Sequence, residues 1–469
     1  MKKFKKIDYN FFKKIFKKNF KGKLITSEKI IDIKKEIINF KFLKKKRSLC
    51  LIECYNSYES ILSYLSIISY GSVPLLINEN LDHFFFKRYI TKYLPDYIVT
   101  KRKIFNKNYK VVKTINNVFF YKSKKIFKKK IYKNLAILLP TSGSTGSPKM
   151  VRISYKNLYS NTVDICNYLK IKKEDKVITT MPFSYTYGMS IINTHIMKNA
   201  SIYVYSGSVI QKDFFEILKK NKITTFGGVP YIYKLLIKIG LDRLKIKSLK
   251  YLTHAGGALD LNLLLYLYKF CKKNNLEFIS MYGASEATSR MSYLPFIYLK
   301  KKLGSIGKGL QKSFIIKDEK NKKISEPFKK GQLIYKGDNV CLGYANNWAD
   351  LSCEDENLSI LKTGDEGYFD HDGFFYISGR KSRYIKLYGH RINLDEIEKS
   401  LNTKFSNCYI KFIDEKIILF SDKSYSLIEL GNFLFRKFDI KKNMFEFKKI
   451  KKIPYTSNKK IDYNKLNVI

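Results

Sequence analysis

The sequence lacks any run of about 18 consecutive apolar residues, which argues against a membrane-spanning helix. Its N-terminus, Met1–Asp8, is basic, but the long apolar segment typical of a signal peptide does not follow it. The 7 cysteines form no CxxC pair, and no histidine stands close enough to them to complete a zinc site. These absences favour a reducing compartment, and we expect a cytoplasmic protein without a transmembrane segment.

Acidic residues are also scarce: 40 Asp and Glu stand against 90 Lys and Arg, which gives a formal net charge of +50. Such a charge is typical of proteins that bind nucleic acid or anionic membranes. A nucleic-acid site concentrates charge on one face or element, whereas this lysine is spread along the whole chain. We therefore interpret the excess as compositional bias, expect no specific nucleic-acid partner, and interpret the densest runs, 44–47 and 124–130, as solvated connections. A basic nucleic-acid-binding protein is the alternative outside the enzymes.

The composition is that of a globular protein, since 45% of the 469 residues are apolar and 15% are aromatic. From residue 48 to residue 282, short apolar runs alternate with stretches of helical periodicity, which predicts an α/β fold with parallel sheets. Beyond about residue 294 the runs become shorter and alternate with glycine-rich turns, which predicts an antiparallel, β-rich subdomain. The lysine-rich section from residue 381 predicts a small α+β domain.

Several of the predicted strands end in small or polar residues instead of bulky ones. These ends are Pro140–Gly143, Gly227–Pro230, Ala255–Ala258 and Tyr282–Glu286. Open α/β sheets bind their ligands at the carboxyl ends of strands, so we expect these four ends to line one crevice.

The segment Leu138–Lys149 changes abruptly from apolar residues to glycine, serine and threonine. Gly143 and Gly146 would let backbone N–H groups approach an anion closely, and the lysine adds a point charge. The hydroxyl groups that could bind phosphate oxygens belong to Ser142, Ser144 and Thr145. The spacing does not match the P-loop of nucleotide triphosphatases, in which lysine directly follows the second glycine. We predict a phosphate-binding loop, with a flexible linker as the alternative interpretation.

Four further motifs follow this loop along the chain. The five segments are Thr141–Lys149, Tyr282–Glu286, Thr363–Asp365, Gly379–Gly389 and Pro454–Lys460. Together they resemble the adenylate-forming ligases, the superfamily of acyl-CoA synthetases, peptide-synthetase adenylation domains and firefly luciferase, from about residue 49 to the C-terminus. In character the chain is most similar to the acyl-CoA synthetases. Each motif alone is a weak signal, but five in this order and spacing are not expected by chance.

The resemblance implies an AMP-binding domain over residues 1–380 that uses ATP and Mg²⁺. Glu286 would hold the Mg²⁺, which prefers hard oxygen ligands, and Asp365 would accept hydrogen bonds from the ribose hydroxyls. Tyr282, with two glycines opposite, would hold the adenine. The nucleotide-binding residues that the resemblance implies are Thr141, Ser142, Gly143, Ser144, Thr145, Gly146, Lys149, Gly256, Gly257, Tyr282, Gly283, Ser285, Asp365, Arg380 and Lys386.

The resemblance also implies a mobile C-terminal domain, residues 381–469, that carries a catalytic lysine. This lysine is Lys460, which would bridge the substrate carboxylate and the α-phosphate; its competitor is Lys459. Thr145 and Glu286 are the other implied catalytic residues. The small domain of this family rotates after adenylation about a hinge that falls on Ser382, where relatives usually carry Asp or Lys.

The acyl pocket is implied by the segment Pro182–Gly188, with Tyr185, Gly188 and Val229 as its expected lining. Amino-acid-activating relatives place an Asp near this segment, but no acidic residue occurs between residues 176 and 212. We therefore expect a non-amino carboxylic acid, converted to an acyl-adenylate with release of pyrophosphate and then transferred to the thiol of CoA. The alternative acceptor is the phosphopantetheine of an acyl carrier protein, and a ligase fold that has lost turnover is a third interpretation.

Overall fold

The computed structural model describes residues 9–10, 21–38, 40, 42, 46–104, 106–125, 127–140, 149–310, 313–380, 383–387, 390–413, 416–438, 440–456 and 459–466. Within these ranges no helix has both the length and the apolar character needed to cross a membrane.

The first 309 residues contain both strands and helices. The strands are β1 (Lys23–Ile25), β2 (Ile30–Asp32), β3 (Leu49–Cys54), β4 (Val73–Asn78), β5 (Tyr97–Thr100), β6 (Tyr109–Ile115), β7 (Val118–Ser123), β8 (Leu135–Pro140), β9 (Met150–Ser154), β10 (Lys176–Ile178), β11 (Ser201–Tyr203), β12 (Thr225–Gly228), β13 (Tyr251–His254), β14 (Glu277–Tyr282), β15 (Ser292–Leu294) and β16 (Lys308–Gly309). The helices are α1 (Ile33–Ile37), α2 (Tyr58–Ser69), α3 (His83–Tyr93), α4 (Tyr155–Tyr168), α5 (Thr186–Met197), α6 (Lys212–Lys220), α7 (Pro230–Lys238), α8 (Leu261–Lys273) and α9 (Phe296–Leu299).

The remainder is rich in strands. These are β17 (Phe314–Lys317), β18 (Lys323–Ile324), β19 (Gly331–Lys336), β20 (Gly343–Ala345), β21 (Ile360–Phe369), β22 (Phe375–Arg380), β23 (Tyr384–Leu387), β24 (His390–Asn393), β25 (Tyr409–Ile413), β26 (Lys416–Ser421) and β27 (Phe445–Lys449). The helices are α10 (Leu394–Lys404) and α11 (Leu427–Phe438). Single 3₁₀ turns lie at Leu241–Leu244, Ser285–Ala287, Ala349–Ser352 and Lys442–Met444.

Two large sheets form the body and are parallel at their centres, as the strand–helix alternation predicts. One has the order β16-β15-β14-β13-β12-β10-β11-β1-β2, and the other has the order β20-β9-β8-β4-β3-β5-β7-β6. Strands β3, β4 and β8 are buried along almost their whole length, because helices cover both faces of a parallel sheet. The predicted α/β class is confirmed.

Antiparallel strands extend the edges of both sheets, and the sequence pattern does not predict them. Strands β6 and β7 form a hairpin whose turn residues, Asn116 and Asn117, have φ values of 43° and 61°, the conformation that tight hairpins favour. Strands β8 and β9 are also antiparallel neighbours, so the predicted phosphate loop joins two adjacent strands. Residues 141–148 of that loop lie outside the described residues.

The prediction that the densest basic runs are solvated is wrong for two side chains. Arg47 donates hydrogen bonds to the carbonyl oxygens of Tyr132 and Lys133 at 3.0 and 2.7 Å. Lys129 has a side chain only 3% exposed, pairs with Asp96 at 3.2 Å, and has its pKa lowered by burial. Carbonyl groups at buried chain crossings need donors, and these cations supply them.

The predicted β-rich subdomain is the antiparallel sheet β18-β17-β19-β21-β22. Its own core contains Phe314, Leu333 and Tyr335, all buried. The C-terminal section has a further separate core, in which α10 and α11 pack on the sheet β25-β26-β27. Helix α11 and strand β27 are not predicted from the sequence. In α11, Leu430 and Leu434 are buried, while Ile428 and Phe435 remain exposed.

Candidate active site

Three neighbouring parallel strands, β12, β13 and β14, bring three of the four marked strand ends together. The fourth, Pro140–Gly143, follows β8 of the other large sheet, and only Pro140 of it lies within the described residues. The register of β12, β13 and β14 pairs Gly228 with His254 and His254 with Ser280, so the three strands end at one edge of the sheet. Gly256 follows β13 with a φ of 88°, and a Cβ atom added there would lie 3.0 Å from Cγ1 of Val229 and 3.1 Å from the hydroxyl oxygen of Tyr185. The three residues therefore form one wall of a cleft, where only glycine fits at the centre.

Lys460 enters this cleft from the C-terminal section. Its Nζ lies 5.3 Å from the ring centroid of Tyr185, and its Cε lies 3.8 Å from the position that a Cβ atom on Gly256 would occupy. The lysine is held by a tight turn, in which the N–H of Thr456 donates to the carbonyl oxygen of Lys460 at 2.7 Å and the N–H of Lys460 donates back to the threonine hydroxyl at 3.2 Å.

Lys459, the competing candidate, points elsewhere. Its φ of 59° turns the chain, and its Nζ lies over the ring of Tyr231 at 5.7 Å. Tyr455 packs against the same ring with centroids 4.7 Å apart, and Lys234 donates to the side-chain oxygen of Asn407 at 3.2 Å. These contacts hold the C-terminal section against the body with Lys460, and not Lys459, in the cleft.

Asp365 lies in strand β21 and is buried. It follows Gly364, whose φ is 75°, and the register of β21 with β22 places it opposite Arg380, whose Nε donates to Oδ1 at 2.9 Å. The hydroxyl of Tyr282 donates to Oδ2. The pKa of Tyr282 is raised well above its usual value by burial and by the carboxylate, and the carboxylate also raises the pKa of Arg380. Each carboxylate oxygen retains a further lone pair for a ligand.

Glu286 lies in the 3₁₀ turn that follows β14, and Tyr344 of β20 holds it. The tyrosine hydroxyl donates to Oε1 of Glu286 at 3.0 Å. Lys149 lies against the ring of the same tyrosine, with Nζ 3.6 Å from the ring centroid. One aromatic residue thus positions a carboxylate and an ammonium group.

Arg152 fixes the backbone of this tyrosine. It is fully buried; its Nε donates to the carbonyl oxygen of Tyr344 at 2.9 Å and its Nη1 to that of Cys353 at 2.6 Å, and Glu356 pairs with Nη2 at 2.7 Å. Neither Arg152 nor Tyr344 belongs to the residues predicted from the sequence. The only sequence signal is an arginine within an apolar strand, which indicates a buried charge in need of partners.

Three further predicted glycines lie at points of close packing. A Cβ atom on Gly188 would lie 2.3 Å from the carbonyl oxygen of Pro182, and one on Gly283 would lie 1.7 Å from that of Ser289, so both glycines permit close backbone packing. A Cβ atom on Gly257 would lie 3.3 Å from Pro230, and Ser285 is buried. The predicted residues Thr141, Ser142, Gly143, Ser144, Thr145, Gly146 and Ser382 lie outside the described residues, as does the side chain of Lys386.

The carboxylate of Glu286 fits a hard divalent cation. One oxygen accepts from Tyr344, which leaves the other available as a ligand within the described part of the chain. That part contains no group of three or more His, Cys, Asp and Glu side chains that could hold a metal by themselves. Mg²⁺ commonly uses one or two carboxylates together with substrate phosphates and water, so a single carboxylate at this position is sufficient.

Residues 43–345 match the family model described as AMP-binding enzyme. The chain is 31% identical over 277 residues to a long-chain-fatty-acid–CoA ligase of Bacillus subtilis, covering 57% of this chain and 48% of that protein. It is also 31% identical over 285 residues to a 2-succinylbenzoate–CoA ligase of Bacillus licheniformis, covering 60% and 57%. The alignments thus span only about half the length of these relatives.

Solved structures show the same fold. An o-succinylbenzoate CoA synthetase from Bacillus subtilis in complex with AMP superposes with a TM-score of 0.77 at 20% identity, covering 97% of this chain and 98% of that one. ATP-bound MatB from Rhodopseudomonas palustris superposes with a TM-score of 0.76 at 17% identity, covering 97% and 98%. At these identities the likeness establishes the architecture alone.

Proposed function

The chain belongs to the AMP-binding enzyme family, and from this membership we propose that it joins a carboxylic acid to a thiol through an acyl-adenylate. In the first step an oxygen of the acid's carboxylate attacks the α-phosphorus of ATP, and the bond to the leaving pyrophosphate breaks. In the second step the thiol sulfur attacks the acyl carbon, and AMP leaves. The observation that carries the proposal is the entry of Lys460 into the cleft beside Tyr185 and Gly256.

The first step brings two anions together, and Lys460 supplies the charge that this requires. Its ammonium group projects from a tight turn into a half-buried cleft, where an electrostatic interaction is stronger than in water. A donor fixed in advance at the point where charge develops is the largest single contribution in many enzymes. We assign to Lys460 the bridging of the carboxylate and the α-phosphate.

Asp365, Tyr282 and Arg380 would orient the nucleotide. The tyrosine and the arginine each bond one oxygen of Asp365, so the carboxylate is held in a single orientation before a ligand arrives. Its remaining lone pairs can accept hydrogen bonds from the two ribose hydroxyls. A solved structure of o-succinylbenzoate CoA synthetase contains AMP, which supports a nucleotide in this fold.

Glu286 would hold Mg²⁺, which neutralises phosphate charge when it is bound. In this chain the Tyr344 hydroxyl donates to the carboxylate and its ring lies under Lys149, and we assign both groups to the phosphates of one nucleotide. Another structure of the same synthetase contains ATP and magnesium. In the sequence, the predicted phosphate-binding loop, residues 141–148, stands between β8 and Lys149, and we assign it to the same phosphates.

For the second step we propose CoA as the thiol and residues 381–469 as a domain that rotates about Ser382 to present the segment containing Lys386. The curated relatives are named CoA ligases, which supports CoA over a carrier protein. One takes a long-chain fatty acid and another takes 2-succinylbenzoate at the same 31% identity, so this comparison does not select the acid. The absence of acidic residues between 176 and 212 supports a non-amino acid. A cytoplasmic location remains part of the proposal.

Acid-dependent exchange of pyrophosphate into ATP tests the first step, with a panel of carboxylic acids that includes amino acids. We expect exchange with at least one non-amino acid and, after CoA is added, its thioester as the product. Exchange with amino acids alone would contradict the proposed substrate class. Absence of exchange with every acid, from protein that unfolds cooperatively, would contradict the proposed function.

Tyr344→Phe tests the role of the tyrosine hydroxyl. The ring remains under Lys149, but Glu286 loses a hydrogen bond worth about 1 kcal/mol, so we expect exchange to fall about 3- to 10-fold and the Mg²⁺ requirement to rise. Tyr344→Leu, which also removes the ring, should lower pyrophosphate exchange further. The control is Tyr298→Phe, since Tyr298 is exposed. Equal activity of Tyr344→Phe and wild type would show that the hydroxyl does not position Glu286.

A further inference from the structure

Lys234 of α7 connects the body of the protein to the C-terminal section, residues 381–469. The lysine is half-buried, and its Nζ donates to Oδ1 of Asn407 at 3.2 Å. The Nδ2 of Asn407 donates in turn to Oδ1 of Asp422 at 3.1 Å, so one amide links an ammonium group of the body to a carboxylate of the C-terminal section. Burial lowers the pKa of Lys234, and the charges of Asp260 and Asp422 oppose this effect. We call this chain of hydrogen bonds the polar relay.

Tyr231, three residues before Lys234 in the same helix, makes a second contact with the C-terminal section. Its ring packs against Tyr455 with the ring centroids 4.7 Å apart. Residues three apart lie on the same face of a helix, so one face of α7 carries both the aromatic contact and the polar relay. We refer to the two together as the α7 contact.

The α7 contact lies beside the cleft that contains Lys460. Helix α7 begins at Pro230, directly after Val229 of the cleft wall. On the other side of the contact, Tyr455 stands one residue before Thr456, whose hydroxyl accepts the N–H of Lys460. The α7 contact therefore joins the element that follows the cleft wall to the turn that carries the lysine, and a shift of the C-terminal section at this contact shifts Lys460 as well.

The polar relay can hold a position and still be broken. A hydrogen bond donated by a charged group is stronger than one between neutral groups, and partial burial strengthens it further. Lys330 and Glu396 form another pair between the body and the C-terminal section, at 3.4 Å, but both side chains are about half exposed and such pairs contribute little. Polar interfaces within one chain allow the two parts to move relative to each other.

We propose, on the basis of the function proposed above, that Tyr231 and Lys234 hold residues 381–469 in the position for adenylation and release them before the thiol reacts. Both are positioning residues, because they act through Lys460 and do not touch the reacting atoms. The polar relay sets the strength of this hold. A weaker relay lowers the fraction of molecules that have Lys460 in the cleft, whereas a stronger relay delays release, so the two changes affect different steps of the reaction.

Lys234→Met weakens the hold and is tested with the acid of the panel above that supports the fastest exchange. Pyrophosphate exchange should fall about 10-fold, because the rate follows the fraction of molecules in the competent position. Thioester formation from the chemically prepared acyl-adenylate and CoA should stay at or above the wild-type rate. Lys238→Met, at an exposed lysine one turn further along α7, is the matched control and should change neither step.

Asn407→Gly weakens the hold from the other side of the contact. Residue 407 has a φ of 59°, which glycine adopts without strain, so the variant removes the side chain and keeps the backbone conformation. It should reproduce the effect of Lys234→Met on exchange. The two changes combined should lower exchange no further than either alone, because both remove the same hydrogen bond.

Asn407→Asp combined with Asp422→Asn strengthens the hold. The swap places the carboxylate directly against Lys234 at unchanged net charge, and Asp, like Asn, tolerates the positive φ at residue 407. Pyrophosphate exchange should be retained, whereas thioester formation should fall about 10-fold because the charged pair delays release. Addition of Lys234→Met to the swapped protein should restore thioester formation.

The outcomes separate the two proposals. Absence of exchange by wild type with every acid would overturn the proposed function itself. Normal exchange by a folded Lys234→Met protein would overturn the role of α7 alone, and an equal loss of both steps would do the same, since it would indicate support of the fold. If Lys234→Met does not unfold cooperatively in urea, the swapped pair decides, and an undiminished rate of thioester formation in that protein would overturn the proposal.

Discussion

Lys460→Ala is expected to lower acid-dependent pyrophosphate exchange by about 10²- to 10³-fold, the loss that follows removal of one preorganised donor from a developing anion. The side chain ends in the cleft formed by Tyr185 and Gly256, so its ammonium group is not part of a hydrophobic core. Stability should therefore change little, and urea unfolding of the variant is the check.

The same variant should leave the second step nearly unchanged. If the domain of residues 381–469 rotates after adenylation, Lys460 leaves the cleft before the thiol attacks. We expect a chemically prepared acyl-adenylate and CoA to give thioester at close to the wild-type rate. Equal loss of both steps would contradict the assigned role, because it would mean that Lys460 acts throughout the reaction or supports the fold.

Lys459→Ala is the matched control, since it removes the same charge one residue away. Lys459 lies over Tyr231 outside the cleft, so its removal should change exchange only slightly. A large loss in Lys459→Ala with normal activity in Lys460→Ala would reverse the assignment. The pair is informative because both variants have the same net charge and composition.

The contrast between Lys459 and Lys460 shows which part of the site can be predicted from the sequence. The offset from Pro454 distinguishes Lys460 only by resemblance, since two adjacent lysines have the same chemistry. The structural difference arises from the turn at Thr456 and the positive φ of Lys459, which point the two side chains in different directions. Turn geometry of this kind depends on packing against Tyr231, which lies far earlier in the chain, and no local pattern encodes it.

Strands β12, β13 and β14, in contrast, could be predicted because local sequence patterns encode them. Each is a short apolar run that ends in small or polar residues, and the alternation with helices determines their parallel order. The edge strands could not be predicted in this way, because a hairpin such as β6–β7 has exposed positions and weak periodicity. Local pattern thus identified the edge of the sheet at which the site lies, but not the strands added around it.

Arg152 and Tyr344 show the same limit within the site. The bond from the guanidinium to the tyrosine carbonyl joins residues 192 positions apart. An arginine inside strand β9 indicates only that some partner must satisfy it. Which segment it holds, and therefore which aromatic residue comes to lie between Glu286 and Lys149, follows from tertiary packing alone.

Glu286→Gln is expected to reduce exchange by about 10²-fold or more, since loss of a metal ligand removes several kcal/mol of charge stabilisation and each 1.36 kcal/mol is about tenfold. The amide is nearly isosteric, and its oxygen can still accept from Tyr344, so the turn after β14 should be preserved. The diagnostic measurement is the Mg²⁺ concentration for half-maximal exchange, which should rise in the variant. Addition of Mg²⁺ should restore part of the activity.

Glu277→Gln provides the control, because Glu277 is exposed at the opposite end of the same strand. It removes an identical charge and should alter neither exchange nor the Mg²⁺ requirement. The double variant tests whether Tyr344 acts through Glu286. If the tyrosine hydroxyl acts only by orienting the Glu286 carboxylate, Tyr344→Phe should not lower exchange further in the Glu286→Gln protein, where the charge is gone. Additive losses in the double variant would instead assign Tyr344 a separate contact with the nucleotide, because independent sites add and coupled ones do not.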